Sequence, residues 1–280
     1  MALVMRRVYA GLLGCGAIGR SIAQAIDRGE AGETELTVVY DVIQQVAEDL
    51  AGGLSRKPLV ARSVSDVSTN PQVNLVIEAA NQMVVREHIP EVLRNRKNLL
   101  IMSVGAFSDE NLFLQVTSLA KQNGVRVYIP SGAIAGLDAL KAAAAAGLDE
   151  VSITTTKPPQ SLKGAPYVIQ KKINLENIKG RTLIYDGTAA EAAPLFPANV
   201  NVALTLSLAG LGPVKTKARV MADPNTTKNT HEVFARGRFG TLTVKIENVP
   251  FPTNPKTSWL AALSAIRKIR EITETVSLGT

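Results

Sequence analysis

Six residues near the start, Gly14-Cys15-Gly16-Ala17-Ile18-Gly19, restrict the fold of this chain more than any other stretch. They follow a short apolar run, Arg7 to Leu13, and open a segment with helical spacing that ends near Ile26. Glycines spaced G-x-G-x-x-G between a strand and a helix suit a dinucleotide. The first allows a tight turn, the second lets the backbone approach a pyrophosphate, and the third lets the helix pack close to the strand. The helix N-terminus then offers free N–H groups and a positive dipole end to the phosphates. Gly14, Gly16, Ala17, Ile18 and Gly19 are therefore candidate cofactor contacts. A second β-rich run, Glu35 to Tyr40, ends at Asp41, 22 residues after Gly19. A carboxylate there accepts hydrogen bonds from ribose hydroxyls and repels a 2′-phosphate. No Arg or Lys follows it through Asp49. NAD is the expected cofactor, with NADP left open; the competing reading is a structural glycine turn with Asp41 as a cap.

The alternation continues. Gln44 to Leu50 reads as helix, Val73 to Ala79 as strand and Met83 to Asn95 as helix; Asn98 to Ser103 reads as strand, Asp109 to Asn123 as helix and Val125 to Ile129 as strand. Such βαβ units predict an α/β fold, a Rossmann-type doubly wound parallel sheet over residues 1–130. Beyond it the pattern becomes mixed. Helices are expected over Gly136 to Ala146, Ala198 to Leu208 and Lys256 to Ile272. Strands are expected over Val151 to Thr156, Val214 to Met221, Thr230 to Ala235 and Leu242 to Val249, the last two forming a hairpin around Arg236 to Gly240. This predicts a second α+β domain over 131–250 and a C-terminal segment, 251–280, whose helix packs back on the first domain.

Composition removes several function classes. Lys+Arg 31 against Asp+Glu 24 leaves +7, but the basic residues are scattered and aromatics are only 4%. That is a poor surface for stacking bases, so no nucleic-acid partner is expected. The densest basic runs, Arg94-Asn95-Arg96-Lys97 and Arg267-Lys268-Ile269-Arg270, read as solvated surface. One cysteine excludes an internal disulfide and a cysteine-cluster metal site, and no metal is expected. No run of about 18 apolar residues occurs and the N-terminus lacks the pattern of a signal peptide, so no membrane association and a cytoplasmic location are expected. Cys15 lies inside the glycine loop, where a small filler suits better than a nucleophile.

A nicotinamide enzyme needs a group to manage protons, and the chain has two histidines. His88 lies on a helix of the first domain and reads as a packing or surface residue. His231 lies after a polar, loop-like stretch, Asp223 to Thr230, where catalytic groups concentrate. It is the candidate catalytic residue. Pro130-Ser131-Gly132-Ala133-Ile134-Ala135-Gly136 joins the expected domains, and its small residues let a ligand approach the backbone as readily as they make a tight turn. Asn199 suits a helix N-cap. Asn201 falls inside the expected helix. Lys157 and Lys256 are candidate partners for a substrate carboxylate, or ordinary surface lysines.

Taken together, these motifs resemble the L-aspartate dehydrogenase family over nearly the whole chain. The resemblance rests on GLLGCGAIG (Gly11 to Gly19), VIEAAN (Val76 to Asn81), SVGAF (Ser103 to Phe107), IPSGAIAGLDAL (Ile129 to Leu140) and TTTKPP (Thr154 to Pro159). It rests equally on FPANVNVA (Phe196 to Ala203), DPNTTKNTHEV (Asp223 to Val233) and NPKTSWLAALSAI (Asn254 to Ile266). The resemblance implies NAD(P)-dependent oxidation of L-aspartate to iminoaspartate, which hydrolyses to oxaloacetate and ammonia and can feed NAD biosynthesis. It also implies a homodimer, a catalytic role for His231, and cofactor contacts from Ala133 and Asn201. Ser131, Gly132, Lys157 and Asn225 are the expected substrate contacts. Two departures from the family pattern are Trp259 and Thr156, the latter where a basic residue is common, with an expected effect on carboxylate recognition. Related architectures fit less well. Sugar-type oxidoreductases resemble a pattern with Glu-Lys-Pro where this chain reads Met102-Ser103-Val104-Gly105, and dihydrodipicolinate reductases carry paired histidines absent here. A dehydrogenase of another small amino or hydroxy acid and a non-catalytic NAD sensor are the alternatives.

Overall fold

The computed structural model describes residues 7–197, 200–251 and 254–279, the side chains of 254–256 excepted. The chain divides into two compact units, one taking the residues up to Pro130 together with Ala262–Leu278, the other taking Ser131–Ala261.

The first unit runs β1 (Val8–Leu13), α1 (Ala17–Asp27), β2 (Thr34–Tyr40), α2 (Gln44–Gly52), β3 (Leu59–Val60), α3 (Val64–Thr69), β4 (Leu75–Glu78), α4 (Gln82–Arg94), β5 (Asn98–Ile101), α5 (Glu110–Asn123) and β6 (Val127–Tyr128). Its six strands are all parallel, in the order β3-β2-β1-β4-β5-β6. This is the doubly wound sheet expected from the alternation. The central strands bury successive residues, as Leu75, Val76 and Ile77 show, because helices cover both faces of a parallel sheet. Side chains close the helix starts: Ser63 accepts from the Asp66 N–H, Asn81 from Met83 and Val84, and Asp109 from Asn111 and Leu112. The strand order reverses beside β1, and in such sheets ligands bind outside the carboxyl ends of the strands at that point.

The basic run 94–97 is not wholly surface. Lys97 is buried, and its ammonium donates to the carbonyls of Asn70 (2.7 Å) and Val73 (2.8 Å). Burial pushes its pKa down, and the two carbonyls are its compensation. Arg94 and Arg96 stay exposed.

The second unit contains α6 (Leu137–Ala144), β7 (Leu148–Lys157), α7 (Pro166–Gln170), β8 (Thr182–Thr188), α8 (Ala189–Leu195), α9 (Asn201–Ala209), β9 (Lys217–Ala222), β10 (Asn229–Gly237), β11 (Gly240–Asn248), β12 (Pro250–Phe251) and β13 (Asn254–Ser258). Five strands form a mixed sheet, β11-β10-β7-β9-β8, in which β7 and β9 are parallel and the other neighbours antiparallel. The β10–β11 hairpin forms where expected and turns between Gly237 and Gly240, the latter at φ +116°. Gly210 lies against Val151 and Leu140, so α6 and α9 cover the face of β7 that carries Val151.

The final helix, α10 (Trp259–Thr273), begins later than expected. Residues 254–258 form β13 instead, paired with β12 through Pro250↔Ser258 and Phe251↔Asn254, because Pro255 lacks a helical donor and favours extended chain before it. Within the first unit, Thr273 at the end of α10 accepts a hydrogen bond from the Glu33 N–H (3.2 Å).

Replacing Lys97 with Met leaves the Asn70 and Val73 carbonyls without their donor. We expect a loss of about 1.5–3 kcal/mol in urea unfolding, the range for hydrogen bonds to a charged group. An unchanged midpoint would show the ammonium to be dispensable.

Candidate active site

In the first unit the glycines divide their work. Gly14 sits at φ +94°, and a Cβ there would lie 2.7 Å from the Ala79 carbonyl. A Cβ on Gly19 would overlap the Gly14 carbonyl oxygen, so Gly19 sets how closely α1 approaches β1. Gly16 is different: nothing lies within 4 Å of where its Cβ would stand. It is the N-cap of α1, and no side chain caps that end. An open position over an uncapped helix N-terminus, with Ala17 and Ile18 opening the first turn, fits a pyrophosphate. Asp41 accepts from the Cys15 N–H (2.8 Å) through Oδ2 and from the Ile43 N–H (3.0 Å) through Oδ1. The carboxylate ties the glycine loop to the end of β2. Each oxygen retains a lone pair for a further donor, so capping and ribose binding are compatible. Cys15 is buried against the Tyr40 carbonyl with its thiol pushed up to about 12, chiefly by burial, which suits a filler.

Beside the loop, at the ends of β4 and β5, stands a group that sequence reasoning passed over. Glu78 is fully buried; one carboxylate oxygen accepts from the Ser103 hydroxyl (2.8 Å) and the Ala80 N–H (2.9 Å), the other from the Ser103 N–H (3.0 Å). Burial pushes its pKa up while these donors oppose the shift. The motif VIEAAN contained it, but its partners become visible only once β4 and β5 are paired.

In the second unit, strand alternation assembles the chemistry. His231 on β10 stands opposite Thr155 on β7, and Asn229 stands opposite Asn248 on β11. Because side chains alternate, Thr155 and Lys157 share one face of β7, and Asn229 and His231 share that face of β10. His231 is 3% exposed, Lys157 4% and Asn229 0%. The Thr155 hydroxyl lies 3.0 Å from His231 Nδ1. Burial first, and the Lys157 charge second, hold His231 down to about 3. Burial holds Lys157 down to about 8. Asn248 Nδ2 donates to the Ala133 carbonyl (2.9 Å), which fixes the 131–136 loop to the end of this sheet face. Asn229 Nδ2 donates to Ser258 Oγ (3.3 Å), while its Oδ1 is buried with no hydrogen-bond partner among the described residues.

The other candidates lie as follows. Ser131 is half-buried, and Gly132, at φ +65°, has open space where a Cβ would stand. Asn201 is the first residue of α9, on the covered face of β7. Asn225 is exposed in the turn after β9, its N–H donating to Asp223 Oδ1 (2.9 Å), so its side chain is not brought into the buried group. Thr156 points to the opposite face from Lys157 and accepts from Arg181 (3.4 Å). Its departure from the family pattern therefore lies on the face away from His231. Trp259 is 48% exposed. His88 is half-exposed on α4 beside Glu87. Asn199 and the side chain of Lys256 lie outside the described residues. Among the described residues no cluster of metal ligands occurs, and no helix is long and apolar enough to cross a membrane.

Two predictions follow from this geometry. Gly16→Val should keep the fold and weaken dinucleotide binding, whereas Gly19→Ala should cost about 1–3 kcal/mol of stability through overpacking. Equal effects of the two on unfolding would contradict this division. His231 protonates in the unfolded chain near 6.5 but only near 3 when folded. The stability it contributes is complete above pH 6.5 and falls as pH drops, by at most about 1.4 kcal/mol per pH unit. Between pH 7.5 and pH 5 the wild type should therefore lose more stability than His231→Gln; equal losses would show that the histidine titrates normally.

Comparison with known proteins agrees with both units. A family model described as the C-terminal domain of aspartate dehydrogenase matches residues 138–272, and one described as the NAD-binding domain of homoserine dehydrogenase matches residues 14–130. An L-aspartate dehydrogenase from Methanococcoides burtonii is 45% identical over 271 residues, 96% of this chain and 98% of the relative. One from Nitrosopumilus maritimus is 46% identical over 277 residues, covering 99% and 100%. The crystal structure of aspartate dehydrogenase from Thermotoga maritima superposes with a TM-score of 0.77 at 30% identity, covering 98% of this chain and all of that one. With identities this high over almost the full length of both chains, the protein belongs to the L-aspartate dehydrogenase family.

Proposed function

We propose that this protein oxidises L-aspartate to iminoaspartate with NAD, and runs the reverse reductive amination. In the forward direction L-aspartate and NAD⁺ give iminoaspartate, NADH and a proton; water then converts iminoaspartate to oxaloacetate and ammonia. The observation that carries the reading is the buried imidazole and buried ammonium on one sheet face, His231 and Lys157, in a chain of this family.

When bound, the nicotinamide cofactor supplies the acceptor for the hydride that leaves the substrate Cα. Gly14, Gly16, Ala17, Ile18 and Gly19 form its pyrophosphate cradle, Asp41 its ribose acceptor, and Ala133 and Asn201 further contacts. The Lys157 ammonium, on the same sheet face as His231, suits one substrate carboxylate, and the N–H groups at Ser131 and Gly132 suit the other. Asn225 remains a low-ranked contact because of its exposure. His231 touches the reacting atoms, orienting the imine and the water that hydrolyses it. Burial keeps the imidazole neutral at working pH. Asp41 favours NAD over NADP by repelling a 2′-phosphate.

Nicotinamide absorbance tests the assignment. L-aspartate but not D-aspartate should reduce NAD at alkaline pH, where the substrate amine is neutral, and NADH oxidation by oxaloacetate should require ammonia. Reduction by a different amino or hydroxy acid in preference to L-aspartate would move the substrate. His231→Asn should cut turnover about 10²–10⁴-fold with NAD binding nearly intact; near-normal turnover would remove His231 from the chemistry. In kcat/KM for aspartate, the loss of charge on Lys157 near pH 8 should level the alkaline rise set by the substrate amine, and Lys157→Gln should remove that levelling. A levelling that persists in that variant would assign it to another group.

A further inference from the structure

We infer that Thr155 fixes His231 in one tautomer, with Nδ1 as acceptor and the proton on Nε2, so that the imidazole meets the substrate as a hydrogen-bond donor. The inference deepens the proposed function and rests on His231 being the catalytic residue.

The geometry is a cross-strand pair. Thr155 and His231 are register partners in neighbouring antiparallel strands, both buried, with Oγ1 and Nδ1 3.0 Å apart. Two arrangements satisfy that distance. In one, Nδ1–H donates to Oγ1; the threonine hydroxyl proton then needs another acceptor. Among the described residues Thr155 makes no other hydrogen bond, so this arrangement leaves a buried O–H without a partner. In the other, the hydroxyl donates to the Nδ1 lone pair and both groups are satisfied. Leaving a buried donor unmade is costly enough to select the second arrangement by roughly fivefold to over a hundredfold. Protonating the ring would turn Nδ1 into a donor and recreate the orphaned hydroxyl, and the neighbouring Lys157 charge opposes it as well. Among the described residues Nε2 has no hydrogen-bond partner, so its proton is available to a ligand.

The chemical consequence is specific. A neutral ring protonated at Nε2 cannot take a proton there. It holds an oxygen: a carboxylate oxygen of the dicarboxylic substrate, or the oxygen of water and oxaloacetate as the C–O bond forms or breaks at the imine carbon. Thr155 touches none of these atoms and is a positioning residue.

The test is ¹⁵N NMR of the full-length, histidine-labelled protein, with His88→Gln used to assign the second ring. Across pH 6–9 His231 should show a pyridine-like Nδ1 and a pyrrole-like Nε2. Thr155→Val should mix the two tautomers and lower kcat with aspartate about 10-fold or more without changing the Kd for NAD. Thr155→Ser, which keeps the hydroxyl, should restore both the spectrum and most of the rate. A pyrrole-like Nδ1 in the wild type, or a Thr155→Val protein with wild-type spectrum and kcat, would overturn the inference. Should aspartate prove not to be the substrate, the spectra still decide the tautomer, so the two readings fail separately.

Discussion

The removal of Lys157 and His231 from water is the constraint on which the candidate site depends. Both are basic side chains, and both lie on one face of a single sheet with less than a twentieth of their surface exposed. Burial opposes the charged form of each, and the Lys157 charge further opposes protonation of His231. A ligand that carries negative charge is favoured beside such a pair. A dicarboxylic acid carries such charge, which links the electrostatics of this sheet face to the substrate class. The supporting residues then have clear tasks: Thr155 satisfies the inner nitrogen of the imidazole, and Asn248 holds the 131–136 loop at the end of the same face.

The first unit solves a different problem. A dinucleotide needs a close backbone approach and unpaired N–H groups, so the glycine loop is shaped by what it excludes. Gly14 and Gly19 allow β1 and α1 to meet without overlap, and Gly16 leaves space over the helix end. Asp41 and Glu78 brace this edge by accepting hydrogen bonds from the loops on either side of the switch in strand order. Their positions explain why carboxylates occur at the ends of β2 and β4 in an otherwise apolar sheet.

The doubly wound sheet was legible because each strand and helix has its own periodicity, and glycine spacing marks the first turn. The hairpin of β10 and β11 was legible for the same reason. The stretch 159–195 was not. Its elements are short, with prolines at 159, 166 and 194, and the Thr188–Glu191 capping box that starts α8 went unread. Lys97 looked like surface because a basic run has no periodicity to reveal that one member turns inward. His231 and Lys157 were legible as candidates, but Thr155 was not. Its role depends on which residue of β7 stands opposite His231, and register across sequence-distant strands cannot be read from one chain. The same alternation separates Thr156 from Lys157, although they are adjacent in sequence.

The most direct test of the account follows the hydrogen itself. L-Aspartate carrying deuterium at Cα would be incubated with the enzyme and NAD, and the reduced cofactor isolated for mass spectrometry. The account predicts NADH heavier by one deuterium, formed together with oxaloacetate and ammonia, and a slower rate than with unlabelled substrate wherever C–H cleavage limits turnover. Unlabelled NADH, or no NADH from a protein that demonstrably binds NAD, would contradict hydride transfer from the aspartate Cα.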